Sequence, residues 1–196
     1  YPKPPQFHGS SFLKQILLEL TDDPAPLYRE ANDADFARLT APLWVWLDQL
    51  HPELWRKGKL FPTSAAETKQ LLDDGELAMA ISFNPGEAQS SVQNGTLPPA
   101  VRAVAMAKGA LTNSHFLAIP FNASARAGAK VVANFLLSPA AQARKADPAF
   151  WGDPSVLRQD ALPGNSQPAL RFKAVAEPHP SWQTRLEAAW VERYGH

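Results

Sequence analysis

Leu77-Ala78-Met79-Ala80-Ile81-Ser82-Phe83 decides how the fold is read. Large side chains take the odd positions and small ones lie between, the period of a strand whose two faces differ. A face of alanine and serine suits a closely packed helix, so the stretch reads as a covered strand. Just upstream, Ser64-Ala-Ala-Glu67 is a capping box, the serine accepting from the N3 amide and the glutamate reaching back to the cap amide. The helix it opens runs to Asp74, and Gly75 is placed to close it in the left-handed conformation. Downstream, Asn84-Pro85-Gly86-Glu87 reads as a further helix start, with asparagine at the cap, proline at N1 and glutamate at N3.

Working outward, Tyr1 to His8 holds three prolines and reads as extended. Gly9-Ser10-Ser11 then precedes a helix from Phe12 to Leu20, where Phe12, Leu13, Ile16, Leu17 and Leu20 share a stripe and Ser10 or Ser11 is the N-cap. A second helical region opens near Asp33 and carries Phe36, Leu39, Leu43, Trp46, Leu47 and Leu50, with Pro42 expected to kink or divide it. Strands are expected over Val101 to Ala105 and Leu111 to Ile119, around a turn at Lys108-Gly109. An alanine-rich helix from Ala125 to Leu137 and another opened by Ser138-Pro139 follow. From Asp147 to Pro178 the periodicity lapses, which reads as a long loop. Ser181 is expected to cap a last helix whose Trp182, Leu186, Ala189, Trp190 and Tyr194 share a face. Alternation of helices with strands indicates an α/β protein with an at least partly parallel or mixed sheet.

Composition narrows the functional classes. The chain has 196 residues, 45% of them hydrophobic and 19% charged, which supports a folded core rather than disorder. Nineteen basic residues balance nineteen acidic ones, so the basic excess of a nucleic-acid binder is missing. Zero cysteine rules out disulfides and thiolate chemistry and is compatible with an oxidising compartment. No stretch approaches the ~20 apolar residues of a membrane-spanning helix.

The candidate binding groups sit at helix starts, where unpaired amides meet polar side chains. At the strand-to-helix junction these are Ser82, Asn84 and Gly86, the last admitting a close backbone approach. Asn84 and Glu87 read equally well as caps of their own helix. Ser10 and Ser11 form a second such start. Among the tryptophans, Trp46 and Trp190 lie on apolar stripes and read as core, whereas Trp44 and Trp151 read as the more exposed ones. His8, His51, His115, His179 and His196 show no spacing that would hold a metal, so no metal or cofactor is expected. Ser10 beside His8 lacks an orienting acid, and no nucleophile motif occurs.

Three segments together carry a resemblance: Tyr1-Pro-Lys-Pro-Pro-Gln-Phe-His-Gly-Ser-Ser-Phe-Leu13, Leu71-Leu-Asp-Asp-Gly-Glu-Leu-Ala-Met-Ala-Ile-Ser-Phe-Asn84, and Ala133-Asn-Phe-Leu-Leu-Ser-Pro-Ala-Ala-Gln142. They resemble the extracytoplasmic solute-binding proteins of ABC importers with the type II fold, within the thiamine, iron and polyamine branches and most closely the YnjB-like group. The resemblance implies a type II periplasmic-binding-protein lobe, a mixed sheet flanked by helices, with part of the other lobe. It also implies a C-terminal portion of a longer protein. Residues 1–112 would form the second lobe, 113–169 would belong to the first lobe, and 170–196 would return as a helix to the second.

By the same resemblance, ligand-binding positions fall at Ser10, Ser11, Ser82, Asn84 and Asn113. Tyr1, Tyr28 and Tyr194 include no adjacent pair of the kind that binds iron in one branch. The implied function is a monomeric, non-enzymatic solute-binding component in the periplasm. It would take up a small polar solute, thiamine-like in the finer reading, and deliver it to an inner-membrane ABC permease. An iron- or polyamine-binding member is the alternative within the superfamily, and a hydrolase or a protein-interaction module the alternative outside it.

Overall fold

The computed structural model describes residues 1–112, 116–147, 149–163 and 172–195. The chain forms two compact units, Tyr1–Ile81 with Ala105–Asn113 and Lys173–His196, and Ser82–Val104 with Ser114–Phe172.

The first unit is built on three helices, α1 (Phe7–Leu20), α2 (Asp33–Leu50) and, at the end of the chain, α7 (Pro180–Tyr194). Leucines at helical spacing on α1 and α2 meet Trp182, Leu186 and Trp190 of α7, and Leu13, Leu17, Leu27, Leu43, Leu47, Trp182 and Trp190 are all sealed from solvent. Each such side chain contributes roughly 1.5–3 kcal/mol by leaving water, which makes this the cohesive centre of the unit. The N-terminal segment lies across α1 at Gly9. A Cβ there would fall 2.3 Å from the carbonyl oxygen of Pro2, so only glycine permits the approach.

Helix starts differ from expectation by a few residues. α1 begins at Phe7, because Gln6 accepts from the amide of His8 at 2.8 Å and acts as the cap. Ser10 and Ser11 therefore lie inside the helix and are buried, not at its start. α2 is continuous through Pro42, which leaves the Arg38 carbonyl without its helical donor but does not divide the helix. Its cap is Asn32, which accepts from the Asp35 amide at 2.8 Å. On α7 the cap is His179 rather than Ser181, and the Ser181 hydroxyl instead accepts from the amide of Ala31 at 2.9 Å. The shared face of Trp182, Leu186 and Trp190 is buried as its spacing predicts.

α3 (Ala65–Asp73) follows its capping signal in part. Ser64 Oγ accepts from the Glu67 amide at 3.1 Å, but the Glu67 carboxylate bonds the amide and hydroxyl of Thr63, each at 2.6 Å, not the amide of the cap itself. Gly75 closes the helix at φ 74°, with the amides of Gly75 and Glu76 turning back onto Leu72 and Leu71.

The sheet corrects the fold class. Among the described residues the strands are β1 (Ala110–Leu111) and β2 (Ala174–Val175), a parallel pair of two residues each. The expectation of an α/β lobe with a mixed sheet flanked by helices is overturned: the protein is mostly helical. Leu77 to Phe83, the stretch that decided the reading, pairs with no strand and leaves Met79 82% exposed. Val101 to Ala105 is likewise unpaired, as are the described residues 116–119, while 113–115 lie outside the described residues. Alternation records that a segment has two unlike faces. It does not supply the neighbour whose amides and carbonyls make a strand. β2 in turn arises within the stretch read as loop, and the Gln15 side chain completes the free edge of β1, donating to the Gly109 carbonyl at 2.8 Å and accepting from the Leu111 amide at 2.9 Å.

The second unit holds α4 (Glu87–Gln93), α5 (Arg126–Leu136) and α6 (Pro139–Ala146). α5 and α6 match expectation, with Ser138 capping α6 by accepting from the Ala141 amide. Gln142 explains part of the third quoted motif: it is buried, donates to the Leu136 carbonyl at 2.7 Å and accepts from the Val156 amide at 3.0 Å, tying the following loop to α6. α5 buries none of its residues. Val131 and Phe135 stay 69% and 61% exposed on a strongly amphipathic helix. Among the described residues no helix is long and apolar enough to cross a membrane.

Candidate functional site

The residues selected from sequence fall in different settings. Ser10 Oγ donates to Glu187 Oε1 at 2.5 Å, in a buried polar seam between α1 and α7. Gln183 donates to the same carboxylate at 2.9 Å, and Lys14, itself buried, donates to Gln183 Oε1 at 3.0 Å and pairs with Glu177 at 2.6 Å. Ser11 Oγ is buried without a hydrogen-bond partner. Neither serine opens onto solvent.

Ser82, Asn84 and Gly86 do come together, in the second unit. Asn84 Oδ1 accepts from the Gly86 amide at 2.9 Å, and Asn84 Nδ2 donates to the Trp151 carbonyl at 2.9 Å. The Ser82 hydroxyl bonds the Glu87 carboxylate and accepts from the Asn84 amide. Gly86, not Asn84, precedes the first residue of α4, and a Cβ on it would fall 2.6 Å from the Gly152 carbonyl. The polar groups of this junction are thus engaged in holding the turn against Trp151 and Gly152. Asn113 lies outside the described residues.

The tryptophans sort by packing. Trp44, expected to be exposed, is half-buried against the core with its N–H donated to Thr40 Oγ1 at 3.0 Å. Trp151 is exposed as expected, with the Lys145 ammonium 5.4 Å from its ring.

A groove in the first unit is of small-molecule size. Open on one side, it has a volume of about 630 Å³, within the ~300–1,000 Å³ of ordinary ligand sites. Lys3, Gln6, Lys59, Phe61, Thr63 and Tyr194 line it, with Pro4, Pro5 and Pro62 as rigid wall. Behind it, Phe61, His51, Trp190 and Tyr194 pack ring against ring, Phe61 and Trp190 edge to face with centroids 5.3 Å apart. Lys59 leaves a turn in which Arg56, Lys57 and Gly58 have φ of 52°, 57° and 68°. Two successive non-glycine residues in the left-handed region are held there against a cost of ~1–2 kcal/mol each.

Charge and protonation at the groove follow from burial and pairing. The Tyr1 phenol is driven up from its ordinary pKa by burial, against the opposing effect of the Trp190 N–H. Tyr194 is also driven up, by burial first and then by its bond to Asp48. His51 is lowered from 6.5 by burial, opposed by Asp48. Asp48 is held below the ordinary carboxylate value by its bonds to Arg193 and Tyr194. Sequence reasoning missed this groove because its walls come from residues 3–6, 58–63 and 194. Proline and lysine at Tyr1-Pro-Lys-Pro-Pro were the one available signal.

Comparison with known proteins adds one relative. Protein YnjB of Escherichia coli (strain K12) is 50% identical over 202 residues, an alignment that takes in 100% of this chain and 52% of the relative. The chain has a homologue in Protein YnjB. It spans about half the length of that curated relative. No family model matches the chain, and no solved structure matches it.

Proposed function

We propose that this chain is part of the solute-binding component of an ABC import system, working in the periplasm without converting its solute. It would bind a small polar solute and pass it to the membrane permease. The observation that carries this reading is the groove of the first unit, whose wall includes two lysines, a glutamine and two aromatic residues around a space of solute size. The three sequence segments that resemble solute-binding proteins support it from a separate direction.

The test is a thermal-shift screen of the chain against small solutes, including thiamine, polyamines and organic anions. A solute that binds the native state raises the unfolding temperature by mass action, with ~2.7 kcal/mol expected at a hundredfold excess over Kd. A stabilising, unmodified solute recovered by mass spectrometry supports the reading. Conversion of the solute to product overturns it.

A second reading, a protein-interaction module, is favoured by the uncovered face of α5. Val131, Val132 and Phe135 present apolar surface of a kind that monomeric proteins seldom leave in water.

A further inference from the structure

We infer that the groove lined by Lys3 and Lys59 takes an organic anion, a carboxylate or phosphate carried on a flat ring; this rests on the solute-binding reading and names its solute class. Neither lysine has an ion pair among the described residues, and none of the residues lining the groove is acidic. Two carboxylates bond residues of the groove wall from outside the lining. Glu67 is bonded to Thr63, and Asp48 to Arg193 and Tyr194. Asp48 is neutralised by Arg193, so the lining carries two positive charges and no negative one, with the Glu67 carboxylate behind Thr63 at its rim.

Its other groups fit the same ligand. The Lys3 ammonium is 5.9 Å from the centre of the Trp190 ring, which restrains it at the wall. Gln6 spends its carbonyl oxygen on the His8 amide, leaving its NH₂ group as a donor to an anionic oxygen. Phe61 and Tyr194 offer ring surface against which a flat body stacks. A cation such as a thiamine-like solute would be repelled by both ammonium groups, most strongly at low salt, so the charge of the groove selects against it.

The experiment is calorimetric titration of the chain at low salt with phenyl phosphate, benzoate, inorganic phosphate and benzylamine, alongside vesicles of phosphatidylserine. Phenyl phosphate or benzoate is expected to bind one to one, at least about tenfold tighter than inorganic phosphate or benzylamine, and to weaken as salt rises. Lys3→Gln and Lys59→Gln should each weaken it about fivefold or more, whereas Lys57→Gln, outside the groove, should change it less than twofold. Unchanged thermal midpoints establish that the variants fold. Equal binding of benzylamine, insensitivity to both groove lysines, or binding of vesicles alone overturns the inference. If a neutral or cationic solute binds one to one and ignores Lys3→Gln and Lys59→Gln, the anion assignment fails while the solute-binding reading stands. If no solute in the thermal screen binds, that reading fails as well.

Discussion

The indole N–H of Trp190 donates to the phenolic oxygen of Tyr1 at 2.9 Å, joining residues 189 positions apart in the chain. The same hydroxyl lies 2.7 Å from His51 Nε2 and donates to it in the tautomer that leaves this nitrogen unprotonated. This relay ties the N-terminal segment, the end of α2 and α7 together behind the groove. Trp190 is completely buried, so water cannot replace the phenol as its acceptor. Tyr1→Phe should lower stability by about 1–3 kcal/mol, the cost of an orphaned buried donor, measured by urea unfolding. A change below a few tenths of a kcal/mol would contradict the relay.

The same relay gives a pH dependence. Accepting a hydrogen bond from the Tyr1 hydroxyl requires a lone pair on His51 Nε2, hence a neutral ring, and burial lowers the pKa of His51 from 6.5. The unfolded chain therefore binds a proton at this site before the folded one does. His51 contributes stability that is complete above pH ~6.5 and is lost as the pH falls through the lower pKa of the folded state. Denaturant midpoints from pH 8 to pH 5 should fall in the native protein and fall less in His51→Gln. Parallel curves for the two proteins would count against the assignment.

Ser10 and Ser11 should behave in opposite ways. Ser10→Ala removes a bond to the Glu187 carboxylate within the α1–α7 seam and should cost about 1.5–3 kcal/mol. Ser11→Ala removes a buried hydroxyl that has no partner, so stability should hold or rise by up to about 1 kcal/mol. Chemical denaturation of the two variants reads both. A large loss in Ser11→Ala would show that its hydroxyl has a partner.

Phe135→Glu on α5 tests the uncovered face. With Phe135 61% exposed, its replacement leaves no cavity, and the melting temperature should change by no more than a few degrees. If the face drives association between copies or with a partner, sedimentation of the native protein should show concentration-dependent species that the variant lacks. A melt lowered by ten degrees or more would show that the face is buried in solution.

The helices were legible before any coordinates, for a physical reason. A helix satisfies its backbone within one segment, so the Ser138-Pro139 start, the Gly75 stop and the Trp182, Leu186, Trp190 stripe could be read locally. Cap positions slipped by a few residues at α1 and α7, because Gln6 and His179 outcompeted the nearby serines for the first free amides. The groove was not legible, since nothing near Lys3 in sequence announces Lys59 or Tyr194.

The amino-acid sequence by itself determined where apolar stripes lie, where most helices begin and end, though not the start of α1, and that the chain carries no net charge. Only the tertiary structure decided that Leu77 to Phe83 has no strand partner, that Ala174 and Val175 do, and that Ser10 serves a buried seam. Strand pairing, buried ion pairs and grooves are relations between distant residues. Their free energy depends on which segments meet, and that is settled by packing of the whole chain rather than by any local pattern.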